Sequence, residues 1–162
     1  MLPAQTYDIG MQLSGVHLHK VDETPLIIGV RFHYNFLPNT AVDAEVNHAK
    51  ENPSGDFGET SVLVGIRAGK RFSRFGVFAK ARPGLMYFGG GYFRQRLDDR
   101  THFIVDYGAV LEYYPRPSWF FRIDAGDLVI FYGDARLFNR PQPDALGTVH
   151  NFYPGFGFGV RF

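Results

Sequence analysis

At 162 residues the chain reads as one domain, expected to span 1–162, and its lack of cysteine excludes disulfides, thiol catalysis and thiolate metal sites. A net charge of +1 with 20% charged residues gives no electrostatic reason to expect nucleic acid. No apolar run reaches the ~18 residues of a transmembrane helix. The 17 Phe, 9 Tyr and 19 Gly suit a β-protein with bulky outward groups and tight interior spots.

The first predicted strand runs from about Gln5 to His19, with Tyr7, Ile9, Met11 and Leu13 on one face and Asp8, Gln12 and Ser14 on the other. Past Gly15 the apolar phase moves to Val16 and Leu18, which predicts a bulge near that glycine. Lys20 to Pro25 is a polar loop. Strand two, Leu26 to Phe36, sets Ile28, Val30, Phe32, Tyr34 and Phe36 against Gly29, Arg31, His33 and Asn35, and ends in the tight turn Leu37-Pro38-Asn39. Strand three, Thr40 to Ala49, sets Val42, Ala44, Val46 and His48 against Asp43, Glu45 and Asn47.

A long polar loop, Lys50 to Gly58, leads to strand four, Glu59 to Arg71, with Val62, Val64, Ile66 and Ala68 opposite Ser61, Gly65, Arg67 and Gly69. After the short Phe72-Ser73-Arg74 turn, strand five, Phe75 to Tyr87, places Lys80 and Arg82 opposite Val77, Ala79, Ala81 and Leu85. Gly89 to Arg100 is the third long loop. Its Gly89-Gly90-Gly91 run has no helix after it, so it is a flexible loop and not a phosphate cradle.

Strand six carries Phe103, Val105, Tyr107, Ala109, Leu111 and Tyr113 away from His102, Asp106, Gly108 and Glu112. Pro115 to Ser118 is again short. Strand seven opens with Trp119, Phe121, Ile123 and Ala125 against Phe120, Arg122, Asp124 and Gly126. Asp127 then interrupts the apolar face, which predicts a bulge or the edge of a bilayer. The longest loop, Gly133 to Thr148, precedes the final strand, Asn151 to Phe162, where Phe152, Pro154, Phe156, Phe158, Val160 and Phe162 alternate with Asn151, Tyr153, Gly155, Gly157, Gly159 and Arg161.

Eight strands follow, with connections alternating long and short, so the long loops gather at one end and the short turns at the other. That is the connection pattern of an all-β, eight-stranded antiparallel up-and-down transmembrane barrel with short periplasmic turns and long outer loops. Strand charges fall on the non-lipid phase: Arg31, Asp43, Glu45, Arg67, Lys80, Arg82, Asp106, Glu112, Arg122, Asp124 and Arg161, with Asp8 and Glu59 besides. An unpaired buried charge costs several kcal/mol, on the order set by desolvation, so these groups are expected to form an ion-paired plug. Hairpin arithmetic sets Arg31 opposite Glu45, His33 opposite Asp43, Arg82 near Asp106, Glu112 near Arg122, and Asp8 near Arg161 on closure. Gly155, Gly157 and Gly159 are expected to make room for long neighbours such as Arg122.

Aromatic groups form two belts. Tyr34, Phe36, Phe75, Tyr113, Trp119, Phe121 and Phe162 lie near the short turns, and Tyr87, Phe103, Phe131, Tyr132 and Phe152 towards the long loops. On these residues the whole chain resembles the small eight-stranded outer-membrane barrels of Gram-negative bacteria, the OmpA/OmpX type. The resemblance is sharpest in the last strand, where Phe156, Phe158, Val160 and Phe162 resemble the signal that the barrel-assembly machinery reads. It implies residence in the cell outer membrane with both termini in the periplasm, and contact with the bilayer and lipopolysaccharide. No signal peptide precedes Leu2, so the chain reads as mature-length with an added initiator Met.

Such barrels serve as anchors, adhesins, lipid-A enzymes or small pores. A structural or surface-interaction role through the outer loops is expected here, with no cofactor, no catalytic or metal site, and a monomeric state. A lipid-A-modifying enzyme would draw on the outward His48 and His150, with Thr60 near His48 but no serine placed beside either. His17 and His19 share a face without a third metal ligand, and read as rim histidines. A conducting lumen is the other alternative, while a lipocalin-like soluble barrel has the opposite polarity.

Overall fold

The computed structural model describes residues 6–18, 24–49, 58–91, 97–136, 138 and 145–162. Alternating β-branched and aromatic residues on one phase favour extended backbone throughout. The strands are β1 (Tyr7–Gly15), β2 (Leu26–Leu37), β3 (Thr40–Ala49), β4 (Gly58–Arg71), β5 (Phe75–Gly89), β6 (Thr101–Arg116), β7 (Trp119–Arg136) and β8 (Ala145–Arg161). Each pairs antiparallel with its chain neighbours, and β1 pairs with β8 to close the barrel. Tyr7 and Phe162 exchange backbone hydrogen bonds at 3.0 and 2.9 Å across that seam, so no sheet edge is left bare. No helix among the described residues is long and apolar enough to cross a membrane, which says nothing of a barrel.

The ladder fixes the tilt. From Tyr7 the register runs through Tyr34, Val42, Ile66, Ala81, Tyr107 and Asp127 to Phe152. It thus returns ten residues short of Phe162, the residue bonded to Tyr7. A stagger of this kind requires strands inclined to the axis, typically by about 35–45°. Along this line each strand's partner stands higher on the wall, so Tyr107, Asp127 and Phe152 lie towards the long-loop end.

Three local expectations are corrected. No bulge accompanies Gly15: the strand ends there, and Val16 and Leu18 simply keep the inward parity of Asp8 and Gln12 and become buried. Asp127 causes no bulge either, because the β6–β7 register is unbroken from Tyr113↔Phe121 to Phe103↔Phe131. The irregularity comes later, where Gly133 pairs with Gly147, both at positive φ, with register shifts on either side. There the β7–β8 ribbon continues to Arg136↔Ala145, into the stretch expected to be loop.

Inside, Gly159 is needed for a close approach. A Cβ there would stand 2.6 Å from the Phe120 ring and 2.5 Å from the Ile9 carbonyl oxygen. A Cβ at Gly157 would meet the Met11 carbonyl at 2.8 Å and Arg31 Nη1 at 3.6 Å. The glycine row therefore accommodates Phe120 and Arg31, and Arg122 is the register partner of Gly157. Gly159→Val is expected to destabilise the barrel by about 1–3 kcal/mol through overpacking, read as a lower urea midpoint.

Candidate functional site

The wall is apolar and exposed on its outside and polar within. Ile28, Val30, Val62, Val64, Val77, Leu111, Ile123 and Phe156 are all exposed, whereas every strand charge expected on the inner phase is buried. Strand parity alone produces this split, since successive side chains point to opposite faces of the sheet.

The interior has three storeys. Nearest the short turns, rings meet cations: the Arg67 and Arg71 guanidinium carbons lie 4.8 and 5.4 Å from the Phe78 centroid, and Arg161 lies 4.9 Å from Tyr114. Arg67 also bonds Asp8 at 3.0 Å and pairs with Glu112, which accepts from the Tyr114 hydroxyl. Arg161 reaches Asp8 at 3.2 Å.

The middle storey is the ionic core. Arg82 pairs with Glu45 at 2.5 Å, with Asp43 at 3.1 Å, and with Asp106. Arg122 bonds Asp43 at 3.0 Å and Asp124 at 2.8 Å, and its Nη1 lies 2.9 Å from His33 Nε2. Arg31 contacts Glu45 at 2.7 Å and Asp124 at 3.2 Å, and donates to Gln12. Lys80 sits 2.8 Å from Asp106 and 3.1 Å from Asp124. The register provides Arg31↔Glu45, His33↔Asp43, Arg82↔Asp106, Glu112↔Arg122 and Asp8↔Arg161, but many ion pairs run between strands that are not neighbours. Leaving Glu59 aside, six buried cations (Arg31, Arg67, Lys80, Arg82, Arg122, Arg161) face six buried carboxylates (Asp8, Asp43, Glu45, Asp106, Glu112, Asp124). Arg161 pairs with Asp8, and each of the other eleven ions has two or more opposite partners, the condition under which a buried charge is tolerable.

Towards the long loops the interior turns apolar. Val16, Leu18, Ile27, Leu63, Met86, Phe88, Ile104, Leu128, Ile130 and Tyr132 form one buried cluster. Glu59 lies buried at this end, and neither of its carboxylate oxygens has a hydrogen-bond partner among the described residues. The apolar storey was not expected from the sequence. Its signal is present in Leu26-Ile27-Ile28, Val62-Leu63-Val64 and Phe103-Ile104-Val105, where both phases become apolar at once. Gln12, Asn47 and Tyr153 also join the network: Gln12 donates to Asn47 at 2.7 Å, and Asn47 to Glu45 at 2.8 Å. Tyr153 lies 3.5 Å from Glu45 and accepts from Ser14 at 3.2 Å.

On the outside, Tyr34, Phe36, Tyr87, Phe103, Tyr113, Trp119 and Phe121 are exposed, as are Phe156, Phe158 and Phe162 of the last strand, with Val160 half-buried. Tyr132 does not belong to the outer belt. It shares the parity of Arg122 and Asp124, stacks inside on Phe88 at 5.9 Å and meets the tilted His102 ring at 4.7 Å between centroids. His48 lies 3.0 Å from Thr60, and His17 lies 3.0 Å from Thr24. His19 is outside the described residues, as are residues 92–96 of the Gly89 to Arg100 loop. Among the described residues no group of three metal-ligating side chains converges.

No protein-family model matches the chain, and no curated protein matches it. Solved structures do. Neisserial surface protein A (NspA) superposes with a TM-score of 0.61 at 14% identity, covering 96% of each chain. Ail of Yersinia pestis, solved with the heparin analogue sucrose octasulfate, gives 0.56 at 20% identity over 98% of this chain and 97% of that one. The outer membrane protein OprG of Pseudomonas aeruginosa gives 0.53 at 13% identity over 98% and 96%. The chain has the fold of the small eight-stranded outer-membrane β-barrels.

Proposed function

We propose that the chain is a monomeric barrel of the Gram-negative outer membrane that anchors four outer loops for interaction at the cell surface. Its lumen, on this reading, is a structural plug and not a path. The observation that carries the reading is the balanced ionic core beneath an exposed apolar wall. A soluble protein has no reason to bury twelve ions while leaving its Val, Ile and Phe rows in solvent. The bilayer and lipopolysaccharide are the partners of the wall, and the barrel-assembly machinery reads Phe156, Phe158, Val160 and Phe162 during insertion. His48 and His150 bond Thr60 and Asp127, an arrangement that supplies no serine nucleophile and favours a non-enzymatic role.

Two measurements test this. In detergent the folded protein is expected to migrate differently before and after boiling, as a barrel that resists unfolding does. In planar bilayers it is expected to show no steady conductance above the lipid baseline, because the buried Leu63, Ile104, Leu128 and Ile130 side chains pack together across the lumen between the long loops and the ionic core. A persistent single-channel step would replace the plug with a pore.

A further inference from the structure

The outward row of β7 is apolar through Trp119, Phe121, Ile123 and Ala125, and then presents Asp127. Further along that strand Phe131 pairs with Phe103 of β6, ring centroids 5.6 Å apart, nearer the long loops. Asp127 thus stands below the upper aromatic girdle, at the depth of lipid backbones and headgroup roots. The strand carboxylates of the lumen all point inward, so this outward one is the exception below the girdle. A carboxylate on a lipid-facing wall costs stability, and a wall that served only to float would continue with an apolar residue.

The carboxylate is held from three sides. The Tyr107 hydroxyl donates to Oδ2 at 2.8 Å, His150 Nδ1 lies 2.6 Å from the same oxygen, and the Asn151 N–H donates to Oδ1 at 3.0 Å. A carboxylate only accepts, so Nδ1 carries the proton in this contact. The His150 side chain is 63% exposed and Tyr107 is 44% exposed. What the cluster leaves open is therefore a pair of acceptors, the Tyr107 oxygen and a lone pair of Asp127. The carboxylate lies beside the exposed rings of Tyr107 and Phe152, the two register partners of Asp127. Such a surface repels a bare phosphate and suits a donor, above all a cationic one.

We propose that Tyr107, Asp127 and His150 form a seat for the hydrogen-bond-donating group, an ammonium or a hydroxyl, of an outer-leaflet lipid. The proposal rests on the reading that the chain spans a bilayer. It assigns the wall a lipid selectivity that simple hydrophobic matching does not give.

The test uses the whole chain in nanodiscs holding equal amounts of phosphatidylethanolamine, phosphatidylglycerol and phosphatidylcholine with identical acyl chains. These offer an N–H donor, hydroxyl donors and neither, respectively. Lipids retained by the released protein are counted by native mass spectrometry. The unaltered protein is expected to keep a donor-bearing lipid over phosphatidylcholine by about fivefold, the ratio one net hydrogen bond provides. An ethanolamine preference assigns the ammonium as the ligand, and a glycerol preference the hydroxyl. Asp127→Leu abolishes the preference while continuing the apolar row, and its heat-modifiable band shows that it folds. Equal retention of all three lipids, or the same preference in Asp127→Leu, overturns the proposal. Failure of the unaltered protein to enter the nanodisc at all would instead strike the bilayer-spanning reading and bring the proposal down with it.

Discussion

Replacing Arg82 by Met is expected to lower the stability of the folded barrel by about 3–5 kcal/mol, the cost of leaving buried charge uncompensated. Arg82 is fully buried and faces Asp43, Glu45 and Asp106 together. Removing it leaves three carboxylates around a site that water reaches poorly, with Lys80 still holding Asp106 and Arg31 still holding Glu45. Methionine fills much of the lost volume, so the deficit is electrostatic and not a cavity. Urea unfolding in phospholipid vesicles, followed by the fluorescence of Trp119, the only tryptophan, measures it. The double variant Arg82→Met with Asp106→Asn should recover part of the loss, because one orphaned charge goes with its partner. A single variant within about 0.5 kcal/mol of the parent, the range of ordinary surface changes, would mean the interior is wet and screened.

Val64→Arg tests the outside of the wall in the same way. Val64 is 49% exposed and sits mid-row on β4 between Val62 and Ile66. In a water-soluble protein an exposed valine exchanged for arginine changes stability by no more than about 0.5 kcal/mol. Facing hydrocarbon near the bilayer midplane, the same exchange costs about 2–4 kcal/mol. The vesicle-based urea midpoint should fall accordingly. Ser73→Arg in the exposed β4–β5 turn, outside the hydrocarbon, should leave it unmoved. Equal effects at the two positions would remove the lipid from the account.

Together the two substitutions separate polarity from packing. An arginine is required inside at 82 and refused outside at 64, the reverse of what a globular core demands. The asymmetry follows from the strand period and from nothing else in the local sequence. Each strand carries one apolar and one polar face, and only the choice of solvent decides which is turned outwards.

The strands themselves were legible because a period of two is a local property. Tyr34 and Phe36 alternate with His33 and Asn35 whatever lies across the barrel, and β3 runs from Thr40 to Ala49 as its pattern requires. Tight turns made neighbour pairing legible too: with only Leu37-Pro38-Asn39 between β2 and β3, Arg31 falls opposite Glu45 by counting. The ends of β7 and β8 were less legible. Gly133 and Gly147 look like loop residues, yet their positive φ lets a bulged ribbon run on past them.

The chain's own alternation determined eight antiparallel strands, their closure in sequence order, and the sorting of charge from hydrocarbon, since each depends on parity and spacing along one segment. Only the tertiary structure decided that Arg122 reaches Asp43 across the lumen and that an apolar storey caps the ions. It also joined Tyr107, Asp127 and His150 on the outer wall. The contacts across the lumen are fixed by the stagger that brings Phe152, and not Phe162, level with Tyr7 along the ladder. A stagger is a property of the closed cylinder, to which every strand contributes and which no single strand encodes.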